Sequence, residues 1–161
     1  MTTNGSSRFY RSLLIALDDS PRAPAVFAAG TEIARLAGAQ VFLVRVLTEP
    51  TDIPPAAHTA PDHLGRDVEQ AVRDEFQGLM SSAPDVPFAT PLVTEGDPWR
   101  RIIEIGKQLD VDLIVIGNHR THSMEQMLGT IASRVVNHTD RSVLVVRERP
   151  GPRSPRESGS S

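Results

Sequence analysis

The sequence predicts an α/β protein with a doubly wound, five-stranded parallel sheet and four helices. Short apolar runs typical of buried strands alternate with stretches whose apolar residues recur every three to four positions. The first strand, helix and second strand lie between residues 12 and 47, which is the β-α-β pattern of a parallel sheet with right-handed crossovers. A chain of 161 residues fits one domain of ordinary size.

The first strand is predicted at Ser12–Leu17, a continuous apolar run that suits burial on both faces of a sheet. Ser20 suits the N-cap of the next helix, and Pro21 suits its first position. Gly38 is placed to end that helix in the left-handed conformation. The apolar face of the helix is predicted at Val26, Ala29, Ile33 and Leu36.

The later elements continue the alternation of strands and helices. Proline has no N–H group to give a neighbouring strand, so the internal Pro91 places the third strand at a sheet edge. The remaining strands are predicted at Gln40–Leu47, Pro87–Thr94, Asp112–Ile116 and Ser142–Val146. The helices are marked by Leu64, Val68, Val72, Phe76 and Leu79, then by Ile102, Ile103, Ile105 and Leu109 after Gly96-Asp97-Pro98, and finally by Met127, Leu128, Ile131 and Val135.

The polar, glycine- and proline-bearing ends are expected to lie outside the folded domain. Residues 1–9 are predicted to be a flexible leader and residues 149–161 a disordered tail, which leaves residues 10–148 for the domain. Between the second strand and second helix, residues 48–61 carry four prolines and no periodicity, so we expect a surface loop.

Composition excludes several classes of protein. The formal net charge is −3, with 17 Lys and Arg against 20 Asp and Glu, so nothing indicates a nucleic-acid partner. The chain has no cysteine, which excludes disulfides, thiolate metal sites and a cysteine nucleophile. No apolar run approaches the roughly 20 residues that span a bilayer, and no signal peptide is evident. We therefore expect a cytoplasmic protein that does not bind membranes.

A candidate phosphate site follows the fourth strand. Ligands of α/β proteins bind at the carboxyl ends of strands, and a glycine before a helix can present bare N–H groups to a phosphate. Gly117-Asn118 opens this loop, and Gly129-Thr130 closes it. Two local structures are open: a capping box at residues 123–126 would start a helix at Met124, whereas a start at Gly129 would leave the phosphate site intact.

Three segments together resemble the universal stress protein family: LIALDDS, TEGDPWRRIIEIGKQLDVDLIVIG and LGTIASRVVNHTDRSVLVV. The resemblance spans residues 10–147. It implies a flavodoxin- or Rossmann-like sheet in the order 3-2-1-4-5 and dimers paired through the last strand, here Ser142–Val146. That strand is short, apolar and free of proline, and an exposed edge of this kind needs a cover. One branch of the family binds ATP at the strand ends.

The ATP-binding branch carries the motif Gly-x2-Gly-x9-Gly-Ser/Thr, which this chain matches in part. Gly117 matches the first glycine and Gly129-Thr130 matches the closing pair, but Arg120 occupies the second glycine position. Eight residues, and not nine, separate Arg120 from Gly129. Arginine lacks the backbone freedom of glycine, but a guanidinium can hold a phosphate through two hydrogen bonds.

The resemblance also places Asp18 beside the adenine and ribose, and the backbone of Val46 at the adenine edge. Asp18 could instead cap the turn before the first helix, and Val46 could pack in the core. The resulting candidate nucleotide-binding residues are Ala16, Leu17, Asp18, Val46, Gly117, Asn118, Arg120, Gly129 and Thr130.

The sequence therefore predicts a dimeric stress-response regulatory protein that binds ATP, with or without Mg²⁺, or another adenine nucleotide. The alternative is a nucleotide-free dimer that acts through an unknown protein partner. An enzyme is disfavoured because no P-loop, G-x-S-x-G or G-x-G-x-x-G motif is present, so ATP hydrolysis would at most be slow. His119 and His122 lack a fixed carboxylate partner and do not predict a metal site.

Overall fold

Five parallel strands form the sheet in a computed structural model that describes residues 9–48, 63–118 and 129–147. The strand order is β3-β2-β1-β4-β5, which confirms the predicted order and the edge position of the third strand. The strands are β1 (Ser12–Ala16), β2 (Gln40–Leu47), β3 (Leu92–Glu95), β4 (Leu113–Gly117) and β5 (Ser142–Val146). In the described part of the chain, no helix is long and apolar enough to cross a membrane.

Four helices cover the two faces of this sheet. They are α1 (Ala23–Ala37), α2 (His63–Ser81), α3 (Pro98–Gln108) and α4 (Thr130–His138). One core joins α1 and α2 to the sheet through Leu13 and Ile15, and the other joins α3 and α4 through Leu14. All three of these β1 side chains are fully buried, which explains why the sequence of β1 is apolar without alternation.

The first helix begins later than predicted, and its buried face includes the predicted Val26, with Ile33 partly buried beside it, but not Leu36. Ser20 and Pro21 form a separate turn, in which the Ser20 carbonyl accepts the N–H of Ala23, and Arg22 is the N-cap. Leu36, predicted in the apolar face, is 84% exposed. The buried stripe is Ala23, Val26, Phe27, Gly30, Thr31 and Ala34. Gly38 ends the helix in the left-handed conformation, with φ 60°, which confirms the prediction.

The third strand is shorter than the predicted Pro87–Thr94. Pro91 immediately precedes β3 and interrupts the ladder, because it has no N–H group to donate. Upstream of it, the chain pairs with β2 as an isolated bridge between Phe88 and Val41. Val68, predicted in the apolar face of α2, is 46% exposed, while Val72 and Phe76 are buried as predicted.

Asp112 fastens the start of β1 to the start of β4. Its Oδ2 atom accepts the backbone N–H groups of Arg11 at 2.7 Å and Ser12 at 3.1 Å. Burial raises the pKa of Asp112, but these backbone hydrogen bonds, together with the charge of Arg11 and the hydroxyl of Ser12, outweigh it and leave the pKa below its ordinary value. A carboxylate with a depressed folded-state pKa stabilises the fold above its unfolded-state pKa, and this contribution is lost as pH falls through the folded value.

Asp112→Asn is expected to lower the free energy of unfolding by about 1 kcal/mol at neutral pH, because hydrogen bonds to a charged acceptor are the stronger ones. The difference from wild type should shrink as pH falls below the ordinary pKa range of aspartate. Urea unfolding of both proteins across a pH series measures this difference in the free energy of unfolding. The substitution Asp74→Asn, at an exposed residue of α2, is the control. A difference that does not change with pH would contradict the role of the carboxylate charge.

Candidate functional site

The carboxyl ends of β1 and β4 meet at the centre of the sheet, where Ala16 lies opposite Ile116. The next helix after β1 is α1, on one face of the sheet, and the next described helix after β4 is α4, on the other face. Such a switch point forms a crevice in doubly wound folds, and ligands bind there. The predicted site residues Asp18, Asn118 and Gly129 all belong to the segments that border this crevice.

Asn118 holds the two sides of the loop after β4 together. Its side chain is buried, with 2% exposure, and its Oδ1 atom accepts the backbone N–H of Gly129 at 2.7 Å. Its own backbone N–H donates to the carbonyl oxygen of Val146, the last residue of β5, at 3.0 Å. One residue thus fixes the end of β4, the end of β5 and the start of α4 relative to one another.

The fourth helix starts at Thr130, with Gly129 as its N-cap at φ −58° and ψ 158°. This backbone is extended, so no helix runs continuously through Gly129, and α4 has its own N-terminus at the crevice. The first intrahelical bond runs from the N–H of Ser133 to the carbonyl of Gly129. The N–H groups of Thr130, Ile131 and Ala132 therefore have no carbonyl partner within the helix.

Gly117 is needed for close packing against α1. It is the last residue of β4 and pairs with Val146, so its conformation is that of a strand. A Cβ atom added there would lie 3.0 Å from Cγ2 of Val26, which is tighter than an ordinary contact. The motif glycine thus brings α1 close to the end of β4.

Asp18 is exposed and organises the turn after β1. Its Oδ1 atom accepts the backbone N–H of Ser20 at 3.1 Å and the Ser20 hydroxyl at 2.5 Å. The turn-capping role is therefore present in the structure, and both bonds fall on one carboxylate oxygen. Leu17, just before it, is buried and donates its N–H to the carbonyl of Val44 on β2.

Two arginines that the sequence did not single out connect the parts of this site. The Nη1 atom of Arg22 donates to the backbone carbonyl of Asn118 at 3.2 Å, which links the turn before α1 to the loop after β4. Arg45 extends from β2 to the backbone of Leu17 and Asp18. A charge within the apolar run of β2 is a signal that could have identified Arg45, whereas nothing in the sequence distinguishes Arg22.

Val46 lies beside Arg45 on β2 and is half-buried against the core that α3 and α4 share. Its packing role is thus present, and its backbone pairs with Thr94 of β3. The remaining site prediction, Arg120, lies outside the described residues, as do His119, His122, the start at Met124 and most of the loop 48–61.

The sequence model of the universal stress protein family matches residues 9–147. The chain belongs to this family. Universal stress protein A homolog 1 of Coxiella burnetii is 26% identical over 140 residues, which are 85% of this chain and 96% of that protein.

Solved universal stress proteins share the fold. UspA of Lactobacillus plantarum superposes with a TM-score of 0.67 at 28% identity, over 86% of this chain and 98% of that one. The universal stress protein of Archaeoglobus fulgidus in complex with dAMP superposes with a TM-score of 0.59 at 20% identity, over 85% of this chain and 98% of that one.

This universal stress protein has a further groove of about 520 Å³ that lies apart from the crevice. It lies between the end of α2 and the segment before β3, with Met80, Phe88 and Pro91 in its wall. Within residues 9–48, 63–118 and 129–147, no three or more His, Asp or Glu side chains are grouped as metal ligands. The predicted site residues border the crevice between β1 and β4 and do not line this groove.

Proposed function

We propose that this universal stress protein is a dimeric regulatory protein of the stress response that binds ATP or another adenine nucleotide between β1 and β4. The observation that carries the proposal is the hydrogen bond from Gly129 to the buried Asn118 side chain. It fixes the N-terminus of α4 at the crevice, and a helix N-terminus combines free N–H groups with a partial positive charge.

The phosphates would lie against the N-terminus of α4, where Thr130 also offers a hydroxyl group. The base and ribose would lie toward the ends of β1 and β2, near Asp18 and the backbone of Val46. Arg22 brings a positive charge to the same region through its contact with Asn118. The dAMP complex of the Archaeoglobus fulgidus relative supports an adenine nucleotide as the ligand. Arg120 as a phosphate ligand stays a prediction.

Mg²⁺ is proposed to bind only together with the nucleotide, because this ion binds mainly to phosphate oxygens and one or two carboxylates. Asp18 and Asp19 are the exposed carboxylates of the β1 turn. Catalysis is not part of the proposal, since phosphoryl transfer needs a placed base or water-orienting group together with bound metal.

The alternative is a nucleotide-free dimer that acts through a protein partner. One observation favours it: Asp18 already serves the turn through its bonds to Ser20. Nucleotide binding and turn capping are nevertheless compatible, because both of these bonds fall on Oδ1.

A thermal-shift titration of the wild-type protein with ATP, ADP, AMP and cyclic AMP tests the proposal. A ligand that binds only the folded state, at 100 times its Kd, adds about 2.7 kcal/mol to the free energy of unfolding. We expect a clear rise in Tm with at least one adenine nucleotide and none with GTP at the same concentration. The absence of a shift with all four adenine nucleotides would favour the nucleotide-free alternative.

The dimer is proposed to form through β5. The side chains of Val143 and Val145 are only half-buried, and Val136 on the neighbouring helix α4 is 42% exposed. An apolar edge strand with unpaired backbone groups is a site of association, and twofold pairing covers it in both subunits at once. We expect a dimer mass by light scattering at micromolar concentration, and a monomer mass would contradict this proposal.

A further inference from the structure

A charged side chain is buried inside the second strand. Arg45 of β2 has 6% exposure, lies between β1 and α2, and stacks its guanidinium over the ring of Phe76 at 5.4 Å from the centroid. Burial of an unpaired charge would be strongly unfavourable, so the contacts of this guanidinium must compensate for the lost water.

Two groups of hydrogen bonds satisfy the N–H donors of the Arg45 guanidinium. On one side, Glu75 of α2 accepts two hydrogen bonds, from Nη1 at 2.6 Å and from Nη2 at 3.0 Å. On the other side, Nε donates to the carbonyl of Leu17 at 3.2 Å and Nη2 donates to the carbonyl of Asp18 at 2.8 Å. The planar guanidinium has a rigid arrangement of donors, so the position of Glu75 constrains the two carbonyl groups.

These carbonyl groups belong to the point where the chain leaves the sheet. The N–H of Leu17 still bonds to Val44 of β2, but β1 ends at Ala16 and Asp18 begins the exposed turn. Arg45 therefore fixes the backbone from which the Asp18 side chain projects, and Glu75 fixes Arg45.

We propose that Arg45 and Glu75 are positioning residues of the nucleotide site: the ion pair between β2 and α2 places Asp18 for contact with the nucleotide. The inference rests on the proposed function. Among the described residues, Glu75 hydrogen-bonds only to Arg45, so the proposal expects its effect on affinity to pass through Arg45 to Asp18. Through this pair, the position of α2 on the sheet is coupled to the site between β1 and β4.

A double-mutant cycle on ATP affinity, measured by calorimetry, tests this path. Asp18→Ala should weaken ATP binding about tenfold or more, as expected for a lost hydrogen bond to a charged group. Glu75→Gln should weaken it about three- to tenfold, while in the Asp18→Ala background it should change Kd by less than about twofold. Additive losses, or full ATP affinity in the single Glu75→Gln variant, would overturn the proposal.

Glu69→Gln is a matched control on the same helix. Glu69 pairs with Arg73 four residues along α2, and its side chain is 43% exposed, against 45% for Glu75. Both substitutions remove one carboxylate charge from an ion pair of α2, but only Glu75 reaches Arg45. We expect the Glu69→Gln variant to bind ATP within about twofold of wild type, and an equal loss in both variants would overturn the proposal.

Amide hydrogen exchange of the nucleotide-free protein separates this inference from the proposed function. The Ser20 N–H bonds to Asp18 Oδ1, so its exchange rate reports the placement of the carboxylate. We expect faster exchange at Ser20 in Glu75→Gln and a wild-type rate in Glu69→Gln. Failure of wild type to bind nucleotides would remove the proposed function, whereas unchanged Ser20 exchange in Glu75→Gln would overturn the positioning role itself.

Discussion

Replacement of Gly30 by alanine is expected to lower the free energy of unfolding by about 1–3 kcal/mol, the usual cost of an overpacked core. Gly30 lies in the middle of α1, where that helix crosses the sheet. A Cβ atom there would overlap Cδ1 of Ile15 and lie 2.8 Å from its Cγ1 atom. Ile15 is fully buried, so it cannot rotate away without disturbing close-packed neighbours.

The same substitution at Gly78 is the matched control. Gly78 lies within α2 and is exposed, and apart from the backbone of its own helix, no described atom lies within 4 Å of an added Cβ. Alanine favours a helix over glycine by about 1 kcal/mol, so Gly78→Ala should stabilise the protein by up to that amount. Urea unfolding of the two variants measures the contrast. A Gly30→Ala variant as stable as Gly78→Ala would show that α1 can move away from β1 at little cost.

The packing around Gly30 also shows why the sequence predicted strands better than helix faces. The bounds of β2 and β5 are confirmed, because an unbroken run of mostly apolar residues marks each strand, although the edge strand β5 is only half-buried. Helix α1 consists mostly of alanine and other small residues, so its buried and exposed faces differ little in hydrophobicity. The apolar side chain of Leu36 was therefore placed inward, although it is exposed.

The candidate site, too, could be predicted from the sequence only in part. The sequence could place Gly117, Asn118 and Gly129 at the end of a strand and the start of a helix, because they flank a predicted loop between the two elements. The contacts of Arg22 and Arg45 could not, because each joins segments that lie far apart in the chain. Long side chains reach such partners only after the strands have been assembled in the order 3-2-1-4-5.

Asn118→Ala is expected to weaken ATP binding by about tenfold to a hundredfold and to leave adenosine binding nearly unchanged. The substitution removes the acceptor of the Gly129 N–H, and an unsatisfied buried donor costs about 1–3 kcal/mol. The start of α4 is then free to shift away from the phosphates, while the ends of β1 and β2 keep their structure. Calorimetric titration with both ligands measures the difference.

Asn137→Ala is the control for this experiment. Asn137 is exposed on the same helix, and its side chain contacts only Ser133 one turn away among the described residues. We expect the Asn137→Ala variant to bind ATP and adenosine like wild type. An equal loss of ATP and adenosine affinity in Asn118→Ala would indicate a general loss of structure and contradict a specific role at the phosphates.

Asn118→Asp separates the hydrogen bond from the charge. Aspartate keeps an acceptor at Oδ1 for the Gly129 N–H, so the start of α4 should stay in place, although the buried carboxylate itself lowers the free energy of unfolding. The new carboxylate would face the phosphates, and like charges repel in a site that excludes water. We therefore expect Asn118→Asp to weaken ATP more than AMP, and AMP more than adenosine. An equal effect on all three ligands would place the phosphates away from Asn118, because repulsion must grow with the number of phosphate charges beside it.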